Sequence, residues 1–334
     1  MPELRKDPVV GRWVIIATER ARRPQDFAVE HDAADARTCP FCPGAEERTP
    51  REVLAYRAPG GAPNGPGWSV RVVPNRYPAL MVEGDLDKKG RGVYDRMNGV
   101  GAHEVVIETP HHERALGDLS AGEIEAVLAA WRDRMLDLSK DGRFRYLLAF
   151  KNHGSAAGST VGHAHSQIIA LPVIPATVRD ELAGGRAHWD RRDRCIWCDV
   201  VEQELSEGDG GRVVLANDQF VAVCPWAARS PFECCVLPRR HAAAFEHEPR
   251  ASYGALAEVL RAVLRKVDGA LDRPPYHLML HTAPLGERDL PHFHWHLELM
   301  PVLGTVAGFE WGSGFHINPV APESAAEFLR KVTA

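Results

Sequence analysis

The sequence lacks any apolar run long enough to span a bilayer, and its first residues lead into no apolar segment of a secretory signal. We therefore expect no membrane association and a cytoplasmic location, where structural disulfides are uncommon. It also lacks an excess of positive charge, since 40 basic residues stand against 45 acidic ones, for a net charge of -5. That balance gives no general attraction to nucleic acid, although local basic clusters could hold the phosphates of small anionic substrates.

What is present is a set of landmarks that occurs twice in the same order. At 334 residues the chain is long enough for two domains of ordinary size. Each half contains a Cys-x-x-Cys pair, a strand-like segment that ends in a histidine eight positions after a glutamate, an amphipathic helix, an apolar strand and a histidine-rich segment. In chain order the landmarks are Cys39/Cys42, Glu104 to His112, Ile124 to Trp131, Tyr146 to Phe150 and His163 to Gln167, then Cys195/Cys198, Glu233 to His241, Leu256 to Val263, Tyr276 to Leu280 and His294 to Glu298.

This recurrence predicts a tandem duplication of one α+β unit. The first copy is longer, and the excess falls in residues 58–67 and 83–101, which we interpret as loops. Residues 173–193 are polar enough to connect the two copies, with a helix over 176–182, and the domain boundary is placed near Ala187.

Each half also supplies the ligands of a structural zinc site. Two cysteines separated by two residues present their sulfurs on one tight turn, and two histidines complete a tetrahedron. The predicted ligand sets are Cys39, Cys42, His112 and His163 in the first half and Cys195, Cys198, His241 and His294 in the second. At the second site the metal could be zinc or iron.

Other interpretations of these residues stay open at this point. A Cys-x-x-Cys pair can be a redox pair or part of the core. His111 is a rival ligand in the first half, and the second half offers His281, His292 and His296. The remaining cysteines, Cys224, Cys234 and Cys235, stand in apolar surroundings typical of core residues.

A reactive histidine is expected next to the first site. We expect His163 and His165 to point to opposite faces, so that His163 holds the metal while His165 faces a pocket. Just upstream, residues 152–160 form a run of small residues whose backbone N–H groups could approach phosphate oxygens. The alternative for that run is a plain turn.

These motifs resemble those of the galactose-1-phosphate uridylyltransferase family, a branch of the histidine-triad superfamily. The similarity covers nearly the whole chain, and within the family the stretch 307–319 is most similar to the plant-type ADP-glucose phosphorylases. The segments that carry it are Arg22 to Pro24, Cys39/Cys42, Asn75 to Leu80, Pro110 to His112, Asn152 to Gln167 and Ala307 to Pro319. The resemblance implies two histidine-triad-like domains, 1–186 and 187–334, with antiparallel sheets and packed helices. It also implies a homodimer.

By the same resemblance, His165 is the nucleophile that attacks the α-phosphorus of a nucleotide sugar. Gln167 would donate a hydrogen bond to a phosphoryl oxygen, where hydrolytic relatives have a third histidine. The acceptor is a sugar 1-phosphate or phosphate. Arg20 and Arg23 are candidates for a diphosphate clamp, although an arginine run is often only solvated. The implied substrate contacts are completed by Asn75, Asn152, Gly158, Ser159, Thr160, Glu310, Phe315 and Asn318.

Two departures weaken the assignment of uracil and galactose: Ala164 stands where the family commonly has proline and Ser166 where it has glycine. In the second half Glu298 replaces the glutamine, so we expect one active site per chain and a structural or pocket-wall role for His296.

The primary hypothesis is therefore a nucleotidyltransferase that forms a nucleotidyl-histidine intermediate, either a hexose-1-phosphate uridylyltransferase of galactose metabolism or an ADP-glucose phosphorylase. Two rivals are a nucleotide hydrolase and a non-enzymatic zinc protein that binds nucleic acid. The last lacks the basic face that phosphate backbones require.

Overall fold

The computed structural model describes residues 1–20, 27, 36–208 and 211–333. Its main feature is one ten-stranded sheet in which all neighbouring strands are antiparallel. The first half contributes β3 (Leu54–Arg57), β4 (Trp68–Pro74), β7 (Ala102–Ile107), β8 (Tyr146–His153) and β9 (His165–Leu171). The second half contributes β10 (Val213–Ala216), β11 (Phe220–Val223), β12 (Cys234–Pro238), β13 (Tyr276–His281) and β14 (His296–Pro301).

The order of the strands displays the duplication. From edge to edge it runs β10-β11-β12-β14-β13-β8-β9-β7-β4-β3, so each half has the same internal order and the two halves meet at β13 and β8. The α+β fold with antiparallel sheets is confirmed. The two-domain division stays a prediction, because the sheet continues across the two halves.

Six α-helices accompany the sheet in the described ranges: α1 (Ala121–Leu138), α2 (Ala176–Arg192), α3 (Ile196–Ser206), α4 (Ser252–Leu271), α5 (Gly308–Ser313) and α6 (Pro322–Lys331). The equivalent helices α1 and α4 contact each other and bury the apolar stripes that the sequence predicted. Helix α1 begins at a capping box in which Ser120 accepts from the Glu123 N–H. These helices and both halves of the sheet share one hydrophobic core.

Two sequence-based boundaries differ from the structure. The connecting helix α2 runs ten residues beyond the predicted end at Leu182, so Ala187 lies inside it. Its length was missed in the sequence because charged and polar residues predominate in it and only Val178, Glu181 and Gly185 are buried. The predicted loop 83–101 contains a hairpin of β5 (Lys89–Arg91) and β6 (Tyr94–Arg96).

A separate three-stranded sheet joins the two ends of the chain. Strands β1 (Glu3–Lys6) and β2 (Trp13–Ile16) pair antiparallel, and β15 (His316–Asn318) adds in parallel to β2. None of the helices within the described ranges combines the length and apolar composition needed to cross a bilayer.

Candidate active site and metal clusters

The four ligands predicted for the first metal site lie together. The ligand atoms of Cys39, Cys42, His112 and His163 are all within 4.8 Å of one another. Cys42 Sγ lies 3.4 Å from Nδ1 of His112 and 3.6 Å from Nδ1 of His163. His163 Nε2–H donates to the Thr109 carbonyl at 2.7 Å, so its Nδ1 keeps the lone pair that a metal needs. The rival His111 is exposed and lies outside this group.

The second cluster repeats this arrangement with Cys195, Cys198, His241 and His294, again within 4.8 Å. Cys198 Sγ lies 3.5 Å from Nδ1 of His241 and 3.6 Å from Nδ1 of His294. Both rings donate Nε2–H to backbone carbonyls, His241 to Leu290 and His294 to Pro238, each at 3.0 Å. Three of the four histidines therefore have the tautomer that leaves Nδ1 free for a metal, whereas Nε2 of His112 is buried and makes no hydrogen bond to any residue that the structure describes.

The rival ligands of the second half lie elsewhere. His281 and His296 form a third buried group with Glu181, and His292 is in neither cluster. Burial by itself would lower the pKa of His281, but the charges of Glu181 and Glu298 outweigh burial and raise this pKa to about 9. Glu298 occupies the position equivalent to Gln167, and its carboxylate forms an ion pair with Arg229 at 2.6 Å.

His165 opens β9 and lines a cavity of about 570 Å³. Its Nδ1–H donates to the His163 carbonyl at 2.8 Å, which leaves the lone pair on Nε2. Burial, and then the neighbouring charge of Lys151, lower the pKa of His165 to about 4, so the ring is neutral near pH 7. Lys151 is itself held by Glu108 at 2.8 Å and by the His165 carbonyl at 2.9 Å. The site thus presents an uncharged, oriented imidazole.

The expectation that His163 and His165 face opposite sides is wrong. Residues two apart in an extended chain share a face. His163 lies in a bend just before β9, yet both rings line the same cavity, and the ring of Phe41 contacts both, with centroids 6.3 Å from His163 and 5.3 Å from His165. Their different roles come from hydrogen bonding, since His163 donates through Nε2 and His165 through Nδ1.

In the second copy His296 occupies the position equivalent to His165, but its surroundings differ. Its Nδ1 lies 3.1 Å from the His294 carbonyl, just as His165 relates to His163. The ring is fully buried, however, and Trp197 lies over it at 4.4 Å between centroids.

The small-residue loop forms one wall of the cavity and is built as a tight turn. Gly154 and Gly158 have φ of +80° and +83°, on either side of a 3-10 turn over Ser155–Ala157. The N–H groups of Gly158 and Ser159 donate to carbonyls within the loop. Gly158 lies outside the cavity lining, whereas Ser159 and Thr160 line the cavity.

Two predicted amide side chains contact histidines that sequence reasoning missed. Asn152 lines the cavity, and its Oδ1 lies 2.9 Å from Nδ1 of His277. Gln167 follows His165 on the same face of β9, with Oε1 2.7 Å from Nε2 of His103. His103 also lies 3.1 Å from Nδ2 of Asn75. The sequence signal was a histidine at the second position of a largely apolar strand, in β7 and in β13.

Gln167 and Asn75 are not among the residues that line this cavity, and the predicted substrate contacts near the C-terminus lie outside the lining too. Glu310 caps α5 by accepting from the Ala307 N–H, and Asn318 is buried in β15, where its Nδ2 donates to the Ala228 carbonyl. Phe315 stands between them, and none of the three lines the cavity. Arg20 ends a 3-10 turn, and its side chain lies outside the described residues, as do Arg22, Arg23 and Pro24.

Comparison with known proteins agrees with this geometry. Residues 1–175 match the galactose-1-phosphate uridyl transferase N-terminal domain, and residues 186–333 match the C-terminal domain. The chain is 37% identical to ADP-glucose phosphorylase of Arabidopsis thaliana, over 99% of this chain and 93% of that protein. It is 31% identical to galactose-1-phosphate uridylyltransferase of Thermotoga maritima, over 99% of this chain and 98% of that protein.

Solved structures place it among the same proteins. The Arabidopsis thaliana ADP-glucose phosphorylase with bound ADP-glucose superposes with a TM-score of 0.83 at 36% identity, covering 100% of this chain and 99% of that one. A uridylyltransferase structure gives a TM-score of 0.76 at 29% identity, covering 99% and 97%. The chain belongs to the galactose-1-phosphate uridyl transferase family.

Proposed function

We propose that this chain transfers a nucleotidyl group through a covalent intermediate on His165, with ADP-glucose as donor and inorganic phosphate as acceptor. The observation that carries the proposal is the His165 ring itself. Its Nδ1–H is bonded to the His163 carbonyl, its pKa is lowered to about 4, and it lines the cavity. A neutral imidazole with a free Nε2 lone pair is a nucleophile at neutral pH.

The reaction divides into two displacements at the same phosphorus. Nε2 of His165 forms a bond to the α-phosphorus, and the bond from that phosphorus to the bridging oxygen breaks, so glucose 1-phosphate leaves with the electron pair. An oxygen of inorganic phosphate then attacks the adenylyl phosphorus, the P–N bond breaks, and ADP leaves while His165 regains its lone pair. Hydrogen-bond donors around the phosphorus stabilise the developing charge in both steps.

The donors proposed for that charge are the amides of Asn152 and Gln167 and the hydroxyl of Ser159 or Thr160. Ser159 Oγ donates to the Val161 carbonyl in this structure, so it would have to exchange that bond for one to substrate. We also propose that Asn75 contacts the nucleotide, because its amide lies beside His103.

We propose zinc in both Cys/His clusters. The donor set fits, because two sulfurs and two Nδ1 atoms converge within 4.8 Å while the Nε2–H groups of three of the four rings are tied to backbone carbonyls. A bound zinc would supply a fixed charge and a rigid crosslink. In the first cluster that crosslink would hold His163, whose carbonyl orients the His165 ring.

The choice of ADP-glucose over a UDP-hexose is supported by the greater identity to the phosphorylase, 37% against 31%. A hexose-1-phosphate uridylyltransferase is the second candidate, since the Thermotoga maritima relative aligns over nearly its full length. We further propose a homodimer. Glu310 and Phe315 lie away from the cavity of their own chain, and as substrate contacts they would have to act on a second copy.

The test is a mass measurement of intact protein after incubation with ADP-glucose or UDP-glucose and no acceptor. We expect an adenylyl adduct with ADP-glucose, released as ADP when phosphate is added. His165→Ala should form none, and His247→Ala, which changes an exposed histidine outside the site, should match wild type. A uridylyl adduct that galactose 1-phosphate discharges would favour the second candidate. Failure of both donors, or free AMP as the main product, would refute nucleotidyl transfer.

A further inference from the structure

His103, a residue of the strand next to β9, contacts the amide of Gln167. Strands β7 and β9 pair so that His103 is opposite Ile169 and Gln167 is opposite Val105. His103 and Gln167 are therefore diagonal neighbours on one face of the sheet. The distance from Nε2 of His103 to Oε1 of Gln167 is 2.7 Å, within the range of a strong hydrogen bond.

The backbone decides which nitrogen of His103 carries the proton. The Ala79 N–H donates to Nδ1 of His103 at 3.2 Å, and a backbone N–H can only donate. Nδ1 is therefore the acceptor, and the proton of the neutral ring is on Nε2. Asn75 Nδ2, 3.1 Å from the same Nε2, is a competing donor. With the proton on Nδ1 instead, Nε2 could accept from Asn75, but the contact with Ala79 would be lost. The lone pair on Nε2 would also face the lone pair of Gln167 Oε1 at 2.7 Å.

The tautomer in turn decides the orientation of the glutamine. A nitrogen that donates must face an oxygen, so Oε1 of Gln167 points to His103 and the Nε2 hydrogens point away from it. Without that contact the two ends of an amide are nearly equivalent in shape and can exchange by rotation.

We infer that His103 is a positioning residue that keeps the Gln167 amide turned so that its N–H groups, and not its oxygen, face the phosphoryl group on His165. The inference rests on the proposed function. A reversed amide would present a lone pair to phosphoryl oxygens and would repel the charge that develops there. The relay runs from the Ala79 N–H through the imidazole to the amide, and no proton moves along it.

His103 has a second set of contacts that could give it a purely structural role. Its carbonyl accepts from the Asn75 N–H at 2.7 Å, and its ring accepts from Ala79, so it also holds the segment between them. The two roles make different predictions for a variant that already lacks the glutamine amide. If His103 acts through Gln167, its loss has no further effect on the chemical step in that background.

The experiment measures the single-turnover rate of adduct formation with ADP-glucose and, in parallel, with UDP-glucose. We expect His103→Leu to slow the step about ten- to a hundred-fold with little change in donor KM, as when one transition-state donor is lost. His103→Gln, which restores an N–H near the Nε2 position, should recover most of the rate. Gln167→Ala and the double variant Gln167→Ala/His103→Leu should be equally slow.

Each outcome bears on one of the two claims. If wild type forms no adduct with either donor, the proposed function fails and the positioning role with it. If wild type reacts but His103→Leu is as fast, or if the losses multiply in the double variant, the positioning role alone is overturned. His247→Leu, an exposed histidine outside the site, is the matched control for the loss of an imidazole.

Discussion

The imidazole of His277, in the second half of the chain, lies with Nδ1 2.9 Å from Oδ1 of Asn152, in the first half. The two residues also face each other in the register of β13 and β8, the pair of strands that joins the halves. The second copy thus contributes a contact to the cavity that His165 lines. Its effect is to restrain an amide beside His165, the proposed nucleophile.

We predict that His277→Leu slows adduct formation about five- to tenfold, the equivalent of about 1 kcal/mol for one lost hydrogen bond. Asn places an N–H near the position of Nδ1, so His277→Asn should retain most of the rate. Single-turnover kinetics with ADP-glucose would measure both. Equal slowing by Leu and Asn would mean that shape, and not the hydrogen bond, is what matters.

The two Cys/His clusters predict two bound metal ions per chain. Cys42→Ser and Cys198→Ser should each reduce the metal content to one, because each removes a sulfur that lies within 3.6 Å of two histidine nitrogens. Both variants should melt at lower temperature, since structural zinc contributes directly to folding free energy. Elemental analysis is the measurement, with Cys224→Ala, a buried cysteine outside both clusters, as control. Wild-type protein that contains no metal after growth with added zinc would refute the proposed metal sites.

The two glycines that flank the loop turn should differ in their tolerance of alanine. At Gly154 an added Cβ would lie 2.9 Å from Cβ of Pro275, and its φ of +80° with ψ of 154° belongs to a region used almost only by glycine. At Gly158 the backbone is left-handed and its closest neighbour is Nδ2 of Asn152, at 4.0 Å. Gly158→Ala should cost about 1–2 kcal/mol of unfolding free energy, and Gly154→Ala should cost more.

Chemical denaturation would measure that difference, and the adduct rate would report displacement of the loop. Gly158→Asn, which tolerates the left-handed region, should be milder than Gly158→Ala. The explanation from backbone geometry would be contradicted if the Gly154 variant proved the more stable one.

Asp268 predicts a pH-dependent term in stability. Burial raises its pKa from 3.8 to about 6, with the charge of Arg273 opposing the rise and that of Asp118 adding to it. The folded state therefore binds this proton more tightly than the unfolded state does. The resulting stability is fully present below pH 3.8 and is lost as the pH rises through about 6.

Asp268→Asn removes this titration. We expect the variant to gain stability relative to wild type between pH 4 and pH 7, by up to about 3 kcal/mol at about 1.4 kcal/mol for each pKa unit. Urea unfolding across that range is the measurement. Asp289→Asn, at a side chain that is 85% exposed, is the control. A difference between Asp268→Asn and wild type that does not vary with pH would contradict the prediction.

The local pattern of the chain was enough to predict several of these features. The repeated Cys-x-x-Cys pairs and their partner histidines pointed to two metal clusters, and the amphipathic spacing around Val127 and Val259 placed two equivalent helices on one core. Such features can be predicted from sequence because a tight turn or a helical face depends on residues close together in the chain. The predicted end of helix α2 was too early because charged and polar residues predominate in its second half.

The contacts that orient the site arise between segments far apart in the chain. His103 reaches Gln167 across 64 positions, and His277 reaches Asn152 across 125. These pairs depend on the register of β7 with β9 and on the pairing of β13 with β8, where the two halves join. Local composition predicts neither of them. Amino-acid order alone thus indicated the candidate site residues and the repeated unit. Contacts between distant segments then determined that His165 lines a cavity while Trp197 covers His296. They also determined how the amides of Asn152 and Gln167 are oriented.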